Sequence, residues 1–204
     1  MKMFVLRCLA CNAGIVASYP LETMKVATQT DQNVSPFAGI EAPIIFSSFT
    51  NGLRFQIYSF IKPYSFFWAL IISGSVNGIL EYPYQTVKLQ KQLPRKKLYP
   101  GGQRIIFSKE LLGTIVHFYL FSLLVNEQTG ALQTSFYGGL TAGVGMTLVY
   151  PLDTFFVNYK TRDMEVEDSI DEGELWKGYL FNLARTILGY SVTMFIQSKL
   201  IGGV

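Results

Sequence analysis

Five charged side chains, Arg54, Glu81, Lys109, Glu110 and Arg185, fall well inside long apolar runs of this 204-residue chain. Charge in hydrocarbon is costly, so such residues default to a functional reading: they bind a charged ligand or line its path. The structural alternative is that Glu110 pairs with Lys109 or Arg185 and simply neutralises a cavity. Arg54 and Glu81 pair either locally or with lipid headgroups. Covalent and metal chemistry find no footing. No nucleophile–base constellation, metal cluster or phosphate loop is present, so an enzyme is not expected. Cys8 and Cys11 have no second Cys or His pair to complete a zinc site and make no disulfide framework. The sole histidine, His117, sits among Val116, Phe118 and Tyr119 and reads as structural. No cofactor is implied.

The elements that hold these charges are apolar helices. Half of the residues are hydrophobic, 15% are aromatic and only 15% are charged. The charge is also bunched. Seven of the 14 acidic residues lie between Asp163 and Glu174, and six basic residues lie between Lys88 and Arg104. Long apolar segments joined by polar loops describe a membrane protein. The run Arg95-Lys96-Lys97 lacks a stacking platform or groove-reading motif, so it reads as a membrane-flanking loop and not as a nucleic-acid site.

An internal repeat organises the chain. Tyr19-Pro20-Leu21-Glu22-Thr23-Met24-Lys25 matches Tyr82-Pro83-Tyr84-Gln85-Thr86-Val87-Lys88, and both match Tyr150-Pro151-Leu152-Asp153-Thr154-Phe155-Phe156. The prolines are 63 and 68 residues apart. A glycine marker follows each motif: Gly39 and Gly102 lie 19 residues after their prolines, and Gly178 lies 27 after its own. Each marker opens another apolar run. The expected unit is a helix with a proline kink, a polar loop, a glycine marker and a second helix. Six spans result, at about 3–28, 39–61, 65–92, 103–125, 132–160 and 178–200, within one membrane domain whose repeats cover about 1–63, 64–128 and 129–204. Small residues (Ala10, Ala13, Gly14, Ala17; Gly74, Gly78; Gly138, Gly139, Ala142, Gly143) recur in the odd-numbered spans, where close helix contact needs them. The basic residues gather on the side of the three long loops, which the positive-inside bias assigns to the inner compartment.

The tripled motif resembles that of the mitochondrial carrier family of inner-membrane solute transporters. The family pattern is Pro-x-acid-x-x-base, followed by acid-Gly and aromatic-base-Gly. Pro20 to Lys25 matches it in full, and Asp171-Glu172-Gly173 with Trp176-Lys177-Gly178 matches its later part. The resemblance covers essentially the whole chain. It implies an all-α barrel of six tilted helices in three pseudo-symmetric pairs, kinked at Pro20, Pro83 and Pro151, in the mitochondrial inner membrane with both termini toward the intermembrane space. It further implies loop-side ion pairs Glu22–Lys88 and Asp153–Lys25. The third pair is lost at both ends, to Gln85 and Phe156. Substrate contacts carried over from the family fall seven residues after each glycine marker, at Phe46, at Lys109 with its neighbour Glu110, and at Arg185. Cardiolipin is an expected partner at Trp176, Lys177 and Gly178, by resemblance and by attraction of anionic headgroups to basic residues.

Departures from the family bear on function. The loops of the first two repeats are too short for the surface helix that carriers have there; only Glu165 to Glu174 leaves room for one. The acids of the family's outer network are missing around Tyr58-Ser59-Phe60-Ile61-Lys62, Phe121-Ser122-Leu123-Leu124 and Ile196-Gln197-Ser198-Lys199. Alternating access needs two closed states of similar energy, each held by its own contacts. These losses favour a carrier fold kept as an accessory, structural subunit of a larger inner-membrane, respiratory complex. The other reading is a working carrier of a small carboxylate or amino-acid-like metabolite.

Overall fold

The structure is a computed structural model; it describes residues 2–30, 35–93, 98, 100–126, 128–161 and 175–201. The segments that hold Arg95-Lys96-Lys97, Glu165 and Asp171-Glu172-Gly173 lie outside the described residues. Within them the chain is all-helical, with no strand. The helices are α1 (Lys2–Thr30), α2, α3 (Phe66–Gln92), α4 (Gln103–Leu124), α5 (Ala131–Thr161) and α6 (Tyr179–Ile201). Helix α2 is composite: a single π-helical turn over Pro43–Ser47 runs into an α-helix over Ser48–Ile61.

Three of these helices, α1, α4 and α5, are both long enough and apolar enough to cross a membrane. The sequence reading expected six such spans. Helix α2 falls short because its α-helical part, Ser48–Ile61, has only 14 residues; α3 and α6 are long enough but carry Asn77 and Glu81, and Asn182 and Arg185, on their inward faces. Pro20, Pro83 and Pro151 sit inside α1, α3 and α5, as read from the sequence. Each lacks an N–H, so the carbonyl four residues earlier has no amide partner in the helical ladder.

The six helices pack in a ring. Each lies against its neighbour in sequence, and α6 returns to pack along α1. Small residues set the spacing, as a helix interface in lipid requires. A Cβ on Gly14 would come within 2.2 Å of Thr193 Oγ1 and 2.4 Å of the Gly189 carbonyl oxygen. One on Gly139 would meet the Ile187 carbonyl oxygen at 2.7 Å, and ones on Gly74 and Gly78 would lie 3.3 and 3.1 Å from the Leu111 and Phe107 Cα atoms of α4. Cys8 serves the same end, its sulfur sitting over Gly52, while Cys11 is buried in the core.

A second set of contacts ties the helix ends together, and it recurs three times. The tyrosine before each proline donates to the carbonyl that precedes a marker glycine: Tyr19 to Ala38 (2.8 Å), Tyr82 to Gly101 (3.0 Å) and Tyr150 to Lys177 (2.5 Å). The glycines that follow, Gly39, Gly102 and Gly178, all have positive φ, of 75°, 86° and 79°. That backbone region is open to glycine and strained for other residues. Each tyrosine oxygen in turn accepts from the residue nine positions after another proline. Gln92 donates to Tyr19 (3.4 Å), Lys160 to Tyr82 (3.3 Å) and Gln29 to Tyr150 (3.3 Å).

Gly14→Val drives a side chain into a backbone carbonyl that cannot move aside, so it is expected to destabilise the chain by about 1–3 kcal/mol. Gly130, with only Gln133 Oε1 at 4.0 Å, is the control. Thermal unfolding in mild detergent should show a clear loss for Gly14→Val and little change for Gly130→Ala.

Candidate functional site

The ring encloses a cavity of about 120 Å³, and its lining collects the charged residues of five helix interiors and of α2. Five cations (Lys25, Arg54, Lys88, Lys109, Arg185) and four anions (Glu22, Glu81, Glu110, Asp153) line it, leaving one positive charge in excess. Most of these charges are tied to one another. Glu22 of α1 lies 2.6 Å from Lys88 Nζ of α3 and 2.7 Å from Arg185 Nε of α6. Asp153 of α5 contacts Lys25 of α1, and its other oxygen is 2.9 Å from Lys109 Nζ of α4. Lys109 also reaches Glu110 at 3.1 Å, whose second oxygen accepts from Asn77 at 2.7 Å. Two shared carboxylates therefore join α1, α3, α4, α5 and α6.

Of the substrate-contact candidates, the structure brings Lys109, Glu110 and Arg185 to this cavity and leaves Phe46 out. Phe46 is 49% exposed and does not line it, contrary to its sequence assignment. The π-helical turn explains the shift. The Ser48 amide bonds to the Pro43 carbonyl, five residues back, so the turn holds one more residue than an α-turn. The position facing inward moves on by one, to Ser47, which lines the cavity with Asn51 and Arg54 below it on α2.

The degenerate positions are neutralised locally. Gln85 donates to Glu81 at 2.8 Å, and Thr50 donates to the other Glu81 oxygen at 3.3 Å. Phe156 joins an apolar layer with Val26, Leu89, Leu93, Ile106 and Val157, and Lys160 lies 5.9 Å over its ring. Arg54 turns inward, away from any headgroup. It donates to Tyr190 OH at 2.6 Å and stacks over Phe55, Phe118 and Tyr190.

The end of the cavity nearest the chain termini is filled by side chains meeting across the ring. Cys11, Phe55, Tyr58, Ala69, Leu70, Phe118, Phe121 and Met194 form a buried cluster drawn from α1, α2, α3, α4 and α6. Tyr58 of α2 stacks on Phe118 of α4 with ring centres 4.1 Å apart, although these helices are not neighbours in the ring. His117 packs edge-on against Tyr190 at 5.0 Å, buried among aromatic rings. The charged layer thus lies between two apolar layers.

Trp176, Lys177 and Gly178 cap the loop end of α6. Trp176 is partly exposed and stacks on Tyr150, while the Lys177 carbonyl accepts from Tyr150. Sequence reasoning missed Gln29, Gln92 and Lys160; the signal available was a long polar side chain nine residues after every motif proline. It also gave each network acid one cation, where the structure gives two. Among the described residues no cluster of His, Cys, Asp or Glu suits a metal ion. Comparison with protein-family models and with curated proteins finds no match to this sequence.

Removing Asp153 strands Lys25 and leaves Lys109 with Glu110 alone, and removing Glu22 strands Lys88 and takes the carboxylate from the half-buried Arg185; Asp153→Asn or Glu22→Gln should therefore cost about 3–5 kcal/mol, read as a lowered unfolding temperature. A charge swap separates sharing from simple pairing. Glu22→Lys combined with Lys88→Glu should fail to restore stability, because Arg185 then faces a new cation; full rescue would mean that Arg185 does not depend on Glu22.

Proposed function

We propose that this chain is a mitochondrial-carrier-like membrane protein in which six helices, repeated as three pairs, cross the inner membrane with the termini toward the intermembrane space. We read its role as structural, an accessory subunit of a larger inner-membrane complex. The observation that carries this reading is the engagement of Lys109 and Arg185. The cations at positions suited to a substrate are bound instead to Asp153, Glu110 and Glu22. A transported ligand would have to displace those carboxylates at every cycle. The stacked aromatic cluster at the far end adds a second obstacle, since opening it separates buried rings across the lumen.

Further support for the three-pair reading is the threefold recurrence of the tyrosine–carbonyl bond with its positive-φ glycine. The exposed aromatic residues Phe60, Tyr64, Phe67 and Trp68 at the α2–α3 turn suit a membrane–water interface. A bound cardiolipin at Trp176, Lys177 and Gly178 fits the same picture, with the indole partly exposed beside a lysine.

One observation favours the second reading, a carrier of a small carboxylate or amino-acid-like metabolite: the cavity retains an unbalanced positive charge and a spread of polar groups on every helix.

Native separation of mildly solubilised membranes decides between them. Migration with a large respiratory or synthase assembly at fixed stoichiometry is the expected outcome. Migration as a lone monomer, together with uptake of a small carboxylate into proteoliposomes that Arg185→Ala abolishes, would replace the structural reading with the carrier.

A further inference from the structure

Seven of the nine charged side chains that line the cavity are bound to one another. Glu22 takes Lys88 and Arg185; Asp153 takes Lys25 and Lys109, and Lys109 also holds Glu110. Two remain, one of each sign. Arg54 is 4% exposed, and among the described residues no carboxylate lies within ion-pair distance of it. It donates to the neutral Tyr190 hydroxyl, while its Nε, shut off from solvent, has no partner. Glu81 is 6% exposed, and no lysine or arginine among the described residues lies within ion-pair distance of it. Its carboxylate is held by neutral donors alone, Gln85 at 2.8 Å and Thr50 at 3.3 Å.

These two charges face the same stretch of the lumen. Thr50 and Arg54 stand one turn apart on α2 and share a face, and Thr50 is the residue that reaches across to Glu81 on α3. Both groups keep capacity to bind. A carboxylate oxygen accepts at two positions, and each Glu81 oxygen has one of them filled. Arg54 Nε–H is an unfilled charged donor. Thr186 Oγ1, buried without a partner one turn from Tyr190 on α6, is a second donor in the same lining.

We propose that the cavity binds one small zwitterion, a free α-amino acid of about glycine size, with its carboxylate on Arg54 and Thr186 and its ammonium on Glu81. A guanidinium presents N–H groups in the geometry that a carboxylate accepts. A buried carboxylate with neutral donors alone lacks the counter-charge that an ammonium supplies. A ligand of one sign would serve one of the two groups and leave the other unpaired; a zwitterion serves both and brings no net charge into an enclosed space. The volume sets the size. An engineered cavity of about 150 Å³ holds benzene. The cavity here, at about 120 Å³, is a little smaller, as glycine is, and excludes an aromatic or long side chain. Neither Arg54 nor Glu81 is among the side chains that the carrier resemblance assigns to substrate contact. The site therefore stands whether the chain supports an assembly, with the amino acid as a resident ligand, or transports, with the amino acid as cargo.

The test titrates the full-length protein in lipid nanodiscs with radiolabelled glycine. Saturable binding near one molecule per chain is expected, displaced by alanine but not by phenylalanine, and not by acetate or methylamine at the same concentration. Glu81→Gln keeps the size of the side chain and breaks no ion pair, and it should weaken binding at least tenfold. Arg54→Gln should do the same. Absence of saturable binding in folded wild-type protein overturns the proposal. Displacement by acetate or methylamine as effective as by alanine also overturns it, since the site would then read a single charge; this comparison needs no variant to fold. So does binding left unchanged in folded Glu81→Gln protein. All of these outcomes are independent of how the chain migrates on native separation, so ligand and role are tested apart.

Discussion

A carboxylate in the middle of a helical ring, with hydrocarbon outside and aromatic side chains above, has few ways to remain ionised. It must have cations and donors delivered to it by other helices. Glu22 and Asp153 each receive two cations, from Lys88 and Arg185 and from Lys25 and Lys109. Helix α1 supplies one of the acids and one of the bases, and thereby touches both halves of the network. A pair buried in this way contributes little net stability against an apolar replacement, yet breaking it leaves an uncompensated charge. The network therefore acts less as glue than as a condition on the arrangement: any packing that separates α1 from α3, α5 or α6 strands charge in a place without water.

The apolar layers on either side raise the stakes. On the loop side, Phe156 with Val26, Leu89, Ile106 and their neighbours keeps water away from the lysines; on the other side, Phe55, Tyr58 and Phe118 do the same. Low local polarisability strengthens each ion pair and makes each unpaired group more costly. Phe156 stands where the tripled motif has a lysine in its other copies, and Gln85 where it has acids. Substitution at both ends removes one pair from the charged ring: Phe156 joins the apolar seal, and Gln85 turns to Glu81. The remaining two thirds are reinforced by Lys109 and Arg185, residues whose positions would otherwise suit a ligand. Both side chains are held by carboxylates of the network.

Much of this was legible from the residues alone. The tripled Tyr-Pro motif and its spacing locate the helices, and the carried-over pairing put Glu22 with Lys88 and Asp153 with Lys25. The second partner of each acid was not legible, because a motif names one base per acid whereas a lumen lets long side chains from the far wall reach the same oxygen. Phe46 was misplaced because counting from a glycine presumes an unbroken α-helical phase, and the wider turn at Pro43–Ser47 adds a residue. Helix α2 proved shorter than a span requires, and α3 and α6 proved less apolar than transmembrane length alone implied. One face of α3 and of α6 looks onto a polar interior, and mean hydropathy averages that face with the outer one.

The tyrosine clamps have an implication for how the chain is joined. Gln92 reaches Tyr19, Lys160 reaches Tyr82 and Gln29 reaches Tyr150, so each helix pair grips the one before it and the first grips the last. Such a cycle has no starting point. The seam between α6 and α1 is fastened by the same device as the seams inside the chain, and covalent connection distinguishes it from them only by its absence. Circular order, rather than linear order, is what the side chains encode, and a polypeptide opened at another turn and joined across the α6–α1 seam would retain every one of these fastenings.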